Sequence, residues 1–207
     1  LSTVTLAVGR PTLADRIVSR SLATDLVLIA AGAALTAVAA QVAVPLWPVP
    51  ITGQTLAVLL VGVTLGAVRG ALSLTLYAVL GIVGLPVFSE QSSGWSVVAG
   101  PTGGYIIGFV FAAAFTGWLA QREWDRRPAW AFLAFLAGSV IPFAFGLPWL
   151  AAALGNLGLD NDLNAVLTAG LYPFIIGGVI KAALGAGIIS LAWLGVRRRD
   201  ARETRDA

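Results

Sequence analysis

The sequence contains no cysteine, no histidine and no methionine, a single lysine, and only 11% charged residues. Without cysteine there are no disulfides and no thiol nucleophile, and without histidine there is no imidazole base and no usual zinc ligand. A Ser-His intramembrane protease is excluded on the same ground. The redox compartment is not legible from a chain without cysteine. With no Met even the initiator is missing, so the sequence is expected to begin after the natural start. The one lysine lies in the run Val179, Ile180, Lys181, Ala182. No G-x-x-x-x-G-K-[ST] loop exists, so any ATP-derived energy has to come from a partner.

What the chain does have is apolar surface. Of its 207 residues 58% are hydrophobic, and the mean hydropathy is +0.89. An ordinary soluble domain carries about 25% charged residues, and a soluble core has nowhere to put this much apolar surface. Spanning the hydrocarbon layer takes roughly 20 apolar residues per helix, so a chain of this length has room for about six spans and short loops. The reading is an all-α integral membrane protein. Apolar windows place the spans at 26–46, 52–68, 70–88, 103–120, 130–149 and 171–196, the second being the shortest. Residues 151–170 mix Asn156, Asp160, Asn161, Asp162 and Asn164 with Leu and Ala, and read as a short amphipathic segment at the membrane surface.

The arginines fall in four places: the N-terminal tail (Arg10, Arg16, Arg20), the second loop (Arg69), the fourth loop (Arg122, Arg126, Arg127) and the C-terminal tail (Arg197, Arg198, Arg199, Arg202, Arg205). By the positive-inside rule these regions and both termini are cytoplasmic. The first, third and fifth loops have no Lys or Arg and face outside. Trp47, Trp95 and Trp149 fall at the outer ends and Trp118, Trp124, Trp130 and Trp193 at the inner ends, as an interfacial aromatic belt requires. The basic pI near 10.0 thus reflects topology rather than nucleic-acid binding. The first apolar run follows Arg20 and contains Ala37, Val38, Ala39, the pattern of a signal-peptide cleavage site, but it continues beyond the roughly 7–15 residues of an h-region and reads as a span. The expected organisation is a tail at 1–21, a transmembrane substrate-binding domain at 22–196 and a basic tail at 197–207.

Lys181 stands about ten residues into the last span, about 15 Å below its outer end at 1.5 Å per residue. An ammonium at that depth costs at least about 2.5–3.5 kcal/mol, so it is expected to face the bundle interior and meet a carbonyl or a negative group. A snorkelling lysine, or one paired with Asp160, Asp162 or Glu90, is the structural alternative. A cation there favours a ligand bearing carboxylate or carbonyl groups. The outer loops are rich in turn formers: Pro45, Pro48 and Pro50, then Gly94, Gly100, Pro101, Gly103 and Gly104. Such turns either join helices tightly or free backbone amides toward a cavity. Thr52, Gln54, Gln91 and Tyr105 flank them and favour a small-ligand site with apolar walls and a few polar groups. In the first span Ala30 with Ala34, and Ala33 with Ala37, are four apart and share helix faces that another helix can approach closely, within the bundle or outside it.

The run Ala40, Gln41, Pro45 to Pro50, Thr52, Gly53, Gln54, Thr55 to Leu60 resembles the signature of the BioY family, the biotin-specific S components of energy-coupling factor (ECF) transporters. The run from Gly81 to Phe88 and the block from Gly100 to Phe109 are similar to two further family blocks. Tyr172, Pro173, Phe174, Gly177 and Ile180, Lys181, Ala182 are similar to a fourth. The resemblance covers most of the chain from about Ala30 to Leu191, in order.

It implies a six-helix S-component fold in a bacterial plasma membrane, a biotin pocket closed by the outer loops, and no catalysis. Its implied partners are a transmembrane coupling protein and two ABC-type ATPases. The alanine strip of the first helix would dock on the coupling protein, and the loaded subunit would topple to release biotin inside. Lys181, Thr52, Gln54, Gln91, Gly103, Gly104, Tyr105, Glu90 and Asp160 become the expected binding residues, and Ala30, Ala34, Ala33 and Ala37 the docking residues. One departure stands out: many relatives read G-D-x-I-K, where this chain has Gly177, Gly178, Val179, Ile180, Lys181. Lys181 therefore lacks a local counter-ion, leaving Asp160, Asp162, Glu90 or the ligand to supply one. The competing functional classes are a stand-alone secondary transporter for another small metabolite, which would call for acidic relay residues that the span cores lack, and a purely structural membrane subunit.

Overall fold

In the computed structural model, which describes residues 5–7 and 9–206 apart from the side chains of 205 and 206, the apolar runs become helices bounded by recognisable stop signals. The Arg205 side chain lies outside the described residues. A first short helix, α1 (Leu13–Ile17), is closed by Asp15, whose carboxylate accepts from the Thr12 amide at 2.9 Å. Ser21 caps α2 (Leu22–Ala40) by accepting from the Thr24 amide at 3.1 Å. Between Pro45 and Pro50 the chain bends back on itself, with a cis Trp47–Pro48 peptide. The flanks pair as a two-stranded antiparallel ribbon, β1 (Ala43–Val44) with β2 (Ile51–Thr52), in register Ala43 to Thr52 and Val44 to Ile51. Next come α3 (Gln54–Leu65) and α4 (Ala67–Ile82), joined at Gly66, whose φ of 88° only glycine adopts readily. The order continues with α5 (Trp95–Ala99), α6 (Gly103–Ala120), α7 (Pro128–Asn156), α8 (Leu163–Gly170) and α9 (Tyr172–Asp206).

Three expectations change. The ribbon is a small β element in a chain read as wholly helical. The predicted second and third spans shrink to α3 and α4, of 12 and 16 residues, because Gly66 and the turn after Ile82 end them early. Among the described residues four stretches are long and apolar enough to cross a bilayer: Leu22–Ala40, Gly103–Ala120, Pro128–Asn156 and Leu163–Thr204. At 1.5 Å per residue α3 is only about 18 Å long. It is mostly buried, so it has little need to match the lipid thickness. Finally, α7 runs past Trp149 to Asn156, and α9 runs through the expected tail to Asp206 without a break. Arginine is a good helix former, and Arg199 donates to Glu203 one turn on at 2.8 Å.

Helix α6 occupies the centre. A Cβ on Gly108 would stand 2.6 Å from the Pro142 Cα, and one on Gly104 would stand 2.5 Å from the Phe145 carbonyl oxygen. These two glycines, four apart, let the α6 and α7 backbones touch. On the opposite side Gly62 of α3 meets Thr116 and Ala113 of α6 equally closely. In lipid, helices associate through such close packing because there is no hydrophobic drive between them.

The end of the bundle that carries both tails is tied by Arg69, which is 2% exposed. Sequence reading made it a topology signal. In the structure its guanidinium donates to Asp25 at 3.1 Å, Asp15 at 2.9 Å, Thr12 at 3.2 Å and the Leu65 carbonyl at 2.8 Å. Burial alone would raise the Asp15 pKa, but hydrogen bonds from Arg20 and the Thr12 amide, together with the Arg69 charge, hold it below its usual 3.8. At the same end Asp125 is buried and accepts from the Trp193 indole at 2.6 Å. Burial pushes the Asp125 carboxyl up to about 6, with the Trp193 bond and the Arg126 charge pulling partly back.

Arg69→Ala leaves the buried Asp25 without its cation and Asp15 with Arg20 alone, and is expected to cost about 3–5 kcal/mol, read as a lowered unfolding midpoint of the detergent-solubilised protein. A carboxyl whose pKa is raised by folding holds its proton more tightly in the fold than in the unfolded chain. Between its ordinary 3.8 and about 6, Asp125 therefore makes stability fall as pH rises. Asp125→Asn keeps an acceptor for Trp193 and should flatten that part of the stability profile; an unchanged slope would place the titration elsewhere.

Candidate functional site

At the opposite end from the arginines the helices part around a cavity of about 590 Å³, measured out to its mouth. Its floor and one side come from β2 and α3, through Thr52, Gln54 and Thr55. Helix α6 adds Tyr105, Ile106 and Phe109, helix α7 adds Pro142 and Phe143, and helix α9 adds Phe174. The loops bring Val49, Pro50, Phe88, Ser89 and Thr102, and the start of α5 brings Val97. The walls are mainly apolar and aromatic, with a few hydroxyls and one amide among them, the usual make-up of a small-molecule site.

Each polar group is set by its neighbours. Gln54 begins α3, where the Thr52 hydroxyl donates to its side-chain oxygen at 2.8 Å and its own amide nitrogen donates to the Tyr77 hydroxyl. Tyr77 meets Phe88 edge-on at 5.5 Å between ring centroids. Tyr105 donates to the Gly170 carbonyl at 2.9 Å, which fastens α6 to the end of α8. Its ring packs edge-on against Phe143 at 5.9 Å, and Phe143 in turn meets Phe174 at 6.0 Å. The aromatic wall is thus continuous over three helices.

Lys181 reaches this assembly from behind. Its ammonium donates to the Thr52 carbonyl at 2.6 Å, the carbonyl partner that its depth in the helix required. Lys181 is not itself part of the lining; it holds the strand that is. None of the carboxylates offered as its counter-ion pairs with it. Asp160 is exposed in the turn after α7, Asp162 caps α8 by accepting from the Ala165 amide at 2.7 Å, and Glu90 is exposed in the loop after α4. The local Asp of the family pattern has no steric bar here, since a Cβ on Gly178 would meet nothing within 4 Å.

Of the other expected residues, Thr52, Gln54 and Tyr105 line the cavity. Gln91 and Glu90 do not; both adopt φ of 57°, and the Gln91 amide donates to the Gln41 side chain at 3.1 Å. Gln41 also donates to the Phe88 carbonyl at 3.0 Å, so this cluster shapes the loop that carries Phe88 rather than touching the cavity. Gly103 and Gly104 are packing residues, pressed against Val98 and Trp149. Asp160 is remote from the lining. Phe88, Phe109, Phe143, Phe174, Ser89 and Thr102 were missed as lining residues although several fall inside the quoted blocks. An aromatic or hydroxyl residue in an apolar run carries no sign of which side it faces.

The two alanine pairs on α2 separate. Ala33 is buried and Ala37 half-buried against the bundle core, whereas Ala30 and Ala34 are exposed. Only the second pair offers an open face.

The sequence model described as the BioY family matches residues 11–198. A biotin transporter BioY2 of Lactococcus lactis subsp. cremoris (strain MG1363) is 37% identical over 161 residues, 77% of this chain and 85% of that protein. A biotin transporter BioY of Thermotoga maritima is 36% identical over 161 residues, 77% of this chain and 90% of that protein. The crystal structure of the S-component for biotin from an ECF-type ABC transporter superposes with a TM-score of 0.69 at 24% identity, covering 86% of this chain and 92% of that one. That likeness establishes a shared fold. With the family pattern matched across the cavity-forming helices and their loops, the chain belongs to the BioY family.

Proposed function

We propose that this chain is the biotin-binding membrane subunit of an ECF-type vitamin uptake transporter. The observation that carries the reading is the aromatic-walled cavity with Thr52, Gln54 and Tyr105 on its surface and the Lys181 ammonium directly behind Thr52. Biotin is a compact apolar bicycle with a ureido group at one end and a carboxylate at the other. Phe88, Phe109, Phe143 and Phe174 suit the bicycle and its chain, hydroxyl and amide groups suit the ureido, and a lysine lacking a carboxylate partner suits the acid. An ammonium has three donors, of which the Thr52 carbonyl occupies one. Glu90 and Gln91 act on the rim through the loop bearing Phe88, and Gly103 and Gly104 by seating α6. As a transporter subunit, the chain is not an enzyme and takes biotin as cargo rather than cofactor.

In this reading α2, α3, α4, α6, α7 and α9 form the six membrane helices of residues 22–196. The arginine-rich end, with residues 1–21 and 197–207, faces the cytoplasm of a bacterial cell, and the cavity opens outward. Biotin is captured from outside and passed on through a transmembrane coupling protein driven by two ABC-type ATPases. The exposed Ala30 and Ala34 face of α2 is where the coupling protein packs.

Calorimetry on the purified protein is expected to show tight biotin binding. Lys181→Ala should weaken it by roughly ten- to hundred-fold, the value of about 1.5–3 kcal/mol for a hydrogen bond to a charged group; an unaltered Kd would remove Lys181 from the site. Ala34→Leu should leave biotin binding intact and abolish uptake by cells expressing the whole transporter, whereas Ala33→Leu, being buried, should instead lower the unfolding midpoint. Full uptake with Ala34→Leu would dispose of docking on this face.

A further inference from the structure

We infer that the arginine-bearing end of the bundle holds a binding site for the phosphate of an anionic lipid headgroup. Between the end of α6, the turn that follows it and the start of α7 lies a groove of about 800 Å³, measured out to its open mouth. Four guanidiniums line it, from Arg122, Arg126, Arg127 and, across from α9, Arg197. The single carboxylate in the lining, Glu123, is already shared by Arg126 and Arg10, each at 3.1 Å. Among the described residues Arg122, Arg127 and Arg197 form no ion pair, so the groove carries an excess of positive charge that Glu123 and the buried Asp125 beside Arg126 do not balance.

The arginines are also held in place. Arg122 lies over the Trp118 ring at 3.9 Å, and Arg126 lies over Trp193 at 5.0 Å. The Nε of Arg126 and the Oδ1 of the neighbouring Asp125 are both buried without a hydrogen-bond partner, so the outward-facing part of that guanidinium is what remains for a ligand. Planar guanidinium forks match phosphate oxygens in pairs. The depth of the groove argues for a lipid rather than a soluble anion. Trp124 and Trp130 border it and pack together at 4.6 Å, and both belong at the headgroup level by the aromatic-belt rule. Trp130 and Leu133 then continue outward along α7 as exposed apolar side chains on which an acyl chain can lie. Basic pockets between helices at the membrane surface bind lipid phosphates in this way. The inference is independent of the biotin reading.

The test is native mass spectrometry of the full chain released from micelles containing equal phosphatidylglycerol and phosphatidylcholine. Retention of phosphatidylglycerol in preference to phosphatidylcholine is expected. Each arginine near the surface contributes about five-fold in affinity, so the combined Arg122→Gln, Arg127→Gln and Arg197→Gln variant should lose that preference by at least about ten-fold. Arg198→Gln with Arg202→Gln, outside the groove, should keep it. The unfolding midpoint serves as the folding control and should be unchanged in both variants. Equal retention of the two lipids, or an undiminished preference in the triple variant, would overturn the site. Displacement of phosphatidylglycerol by millimolar inorganic phosphate would overturn the lipid as the occupant and assign the groove to a soluble phosphate. Displacement by an acidic peptide but not by phosphate would assign it to a protein partner and overturn it equally.

Discussion

The seam between α6 and α7 is the constraint on which the remainder rests. Lipid tails are as apolar as leucine, so these helices gain nothing by hiding from solvent and must gain from contact. Gly104 and Gly108 allow that contact with Phe145 and Pro142 at backbone distance. Once the seam is closed, the residues between and beside those glycines have fixed directions. Tyr105 and Phe109 turn to the cavity from one helix, and Pro142 and Phe143 from the other. The binding wall is therefore a by-product of how the two helices pack, and substituting a packing glycine would deform the pocket without removing any group that touches its contents.

Among the described residues Arg69 is buried and Lys181 half-buried, and the two cations are stabilised in opposite ways. Arg69 meets two carboxylates, a hydroxyl and a carbonyl and is fully answered within the protein. Lys181 meets one carbonyl. A saturated charge adds structure and nothing else, because no hydrogen-bonding capacity is left over for a guest. An unsaturated one keeps hydrogen-bonding capacity in reserve. The missing family aspartate at Gly178 sharpens that contrast, since an acid there would have given Lys181 a resident partner.

Much of this was legible in the chain. Hydropathy located the helices because the lipid-facing surfaces have to be apolar over long runs, and the arginines grouped at one end because both tails and two loops meet there. Lys181 announced itself by depth alone. The rest was hidden for physical reasons. Arg69 looked like any loop arginine, as its partners Asp15 and Asp25 lie more than 40 residues away in sequence and their meeting depends on how α1 folds back. The second span was overextended because Gly66 breaks an apolar run that continues into α4, and the third because apolar residues run on past Ile82 into the loop that carries Phe88 to the cavity. Which alanine pair faces outward depended on the rotation of α2, and two pairs a single residue-turn apart cannot be told apart by spacing.

Helix α9 runs unbroken from Tyr172 to Asp206, gripped by Thr52 through Lys181 near one end and by Asp125 through Trp193 farther along. Twelve residues separate the two grips, about 18 Å at 1.5 Å per residue, so pivoting the rod by about 10° around Trp193 would carry the ammonium roughly 3 Å, the full length of a hydrogen bond. A tilt of α9 at its arginine-rich end would thus be felt at the strand that lines the cavity, because one straight rod carries both bonds.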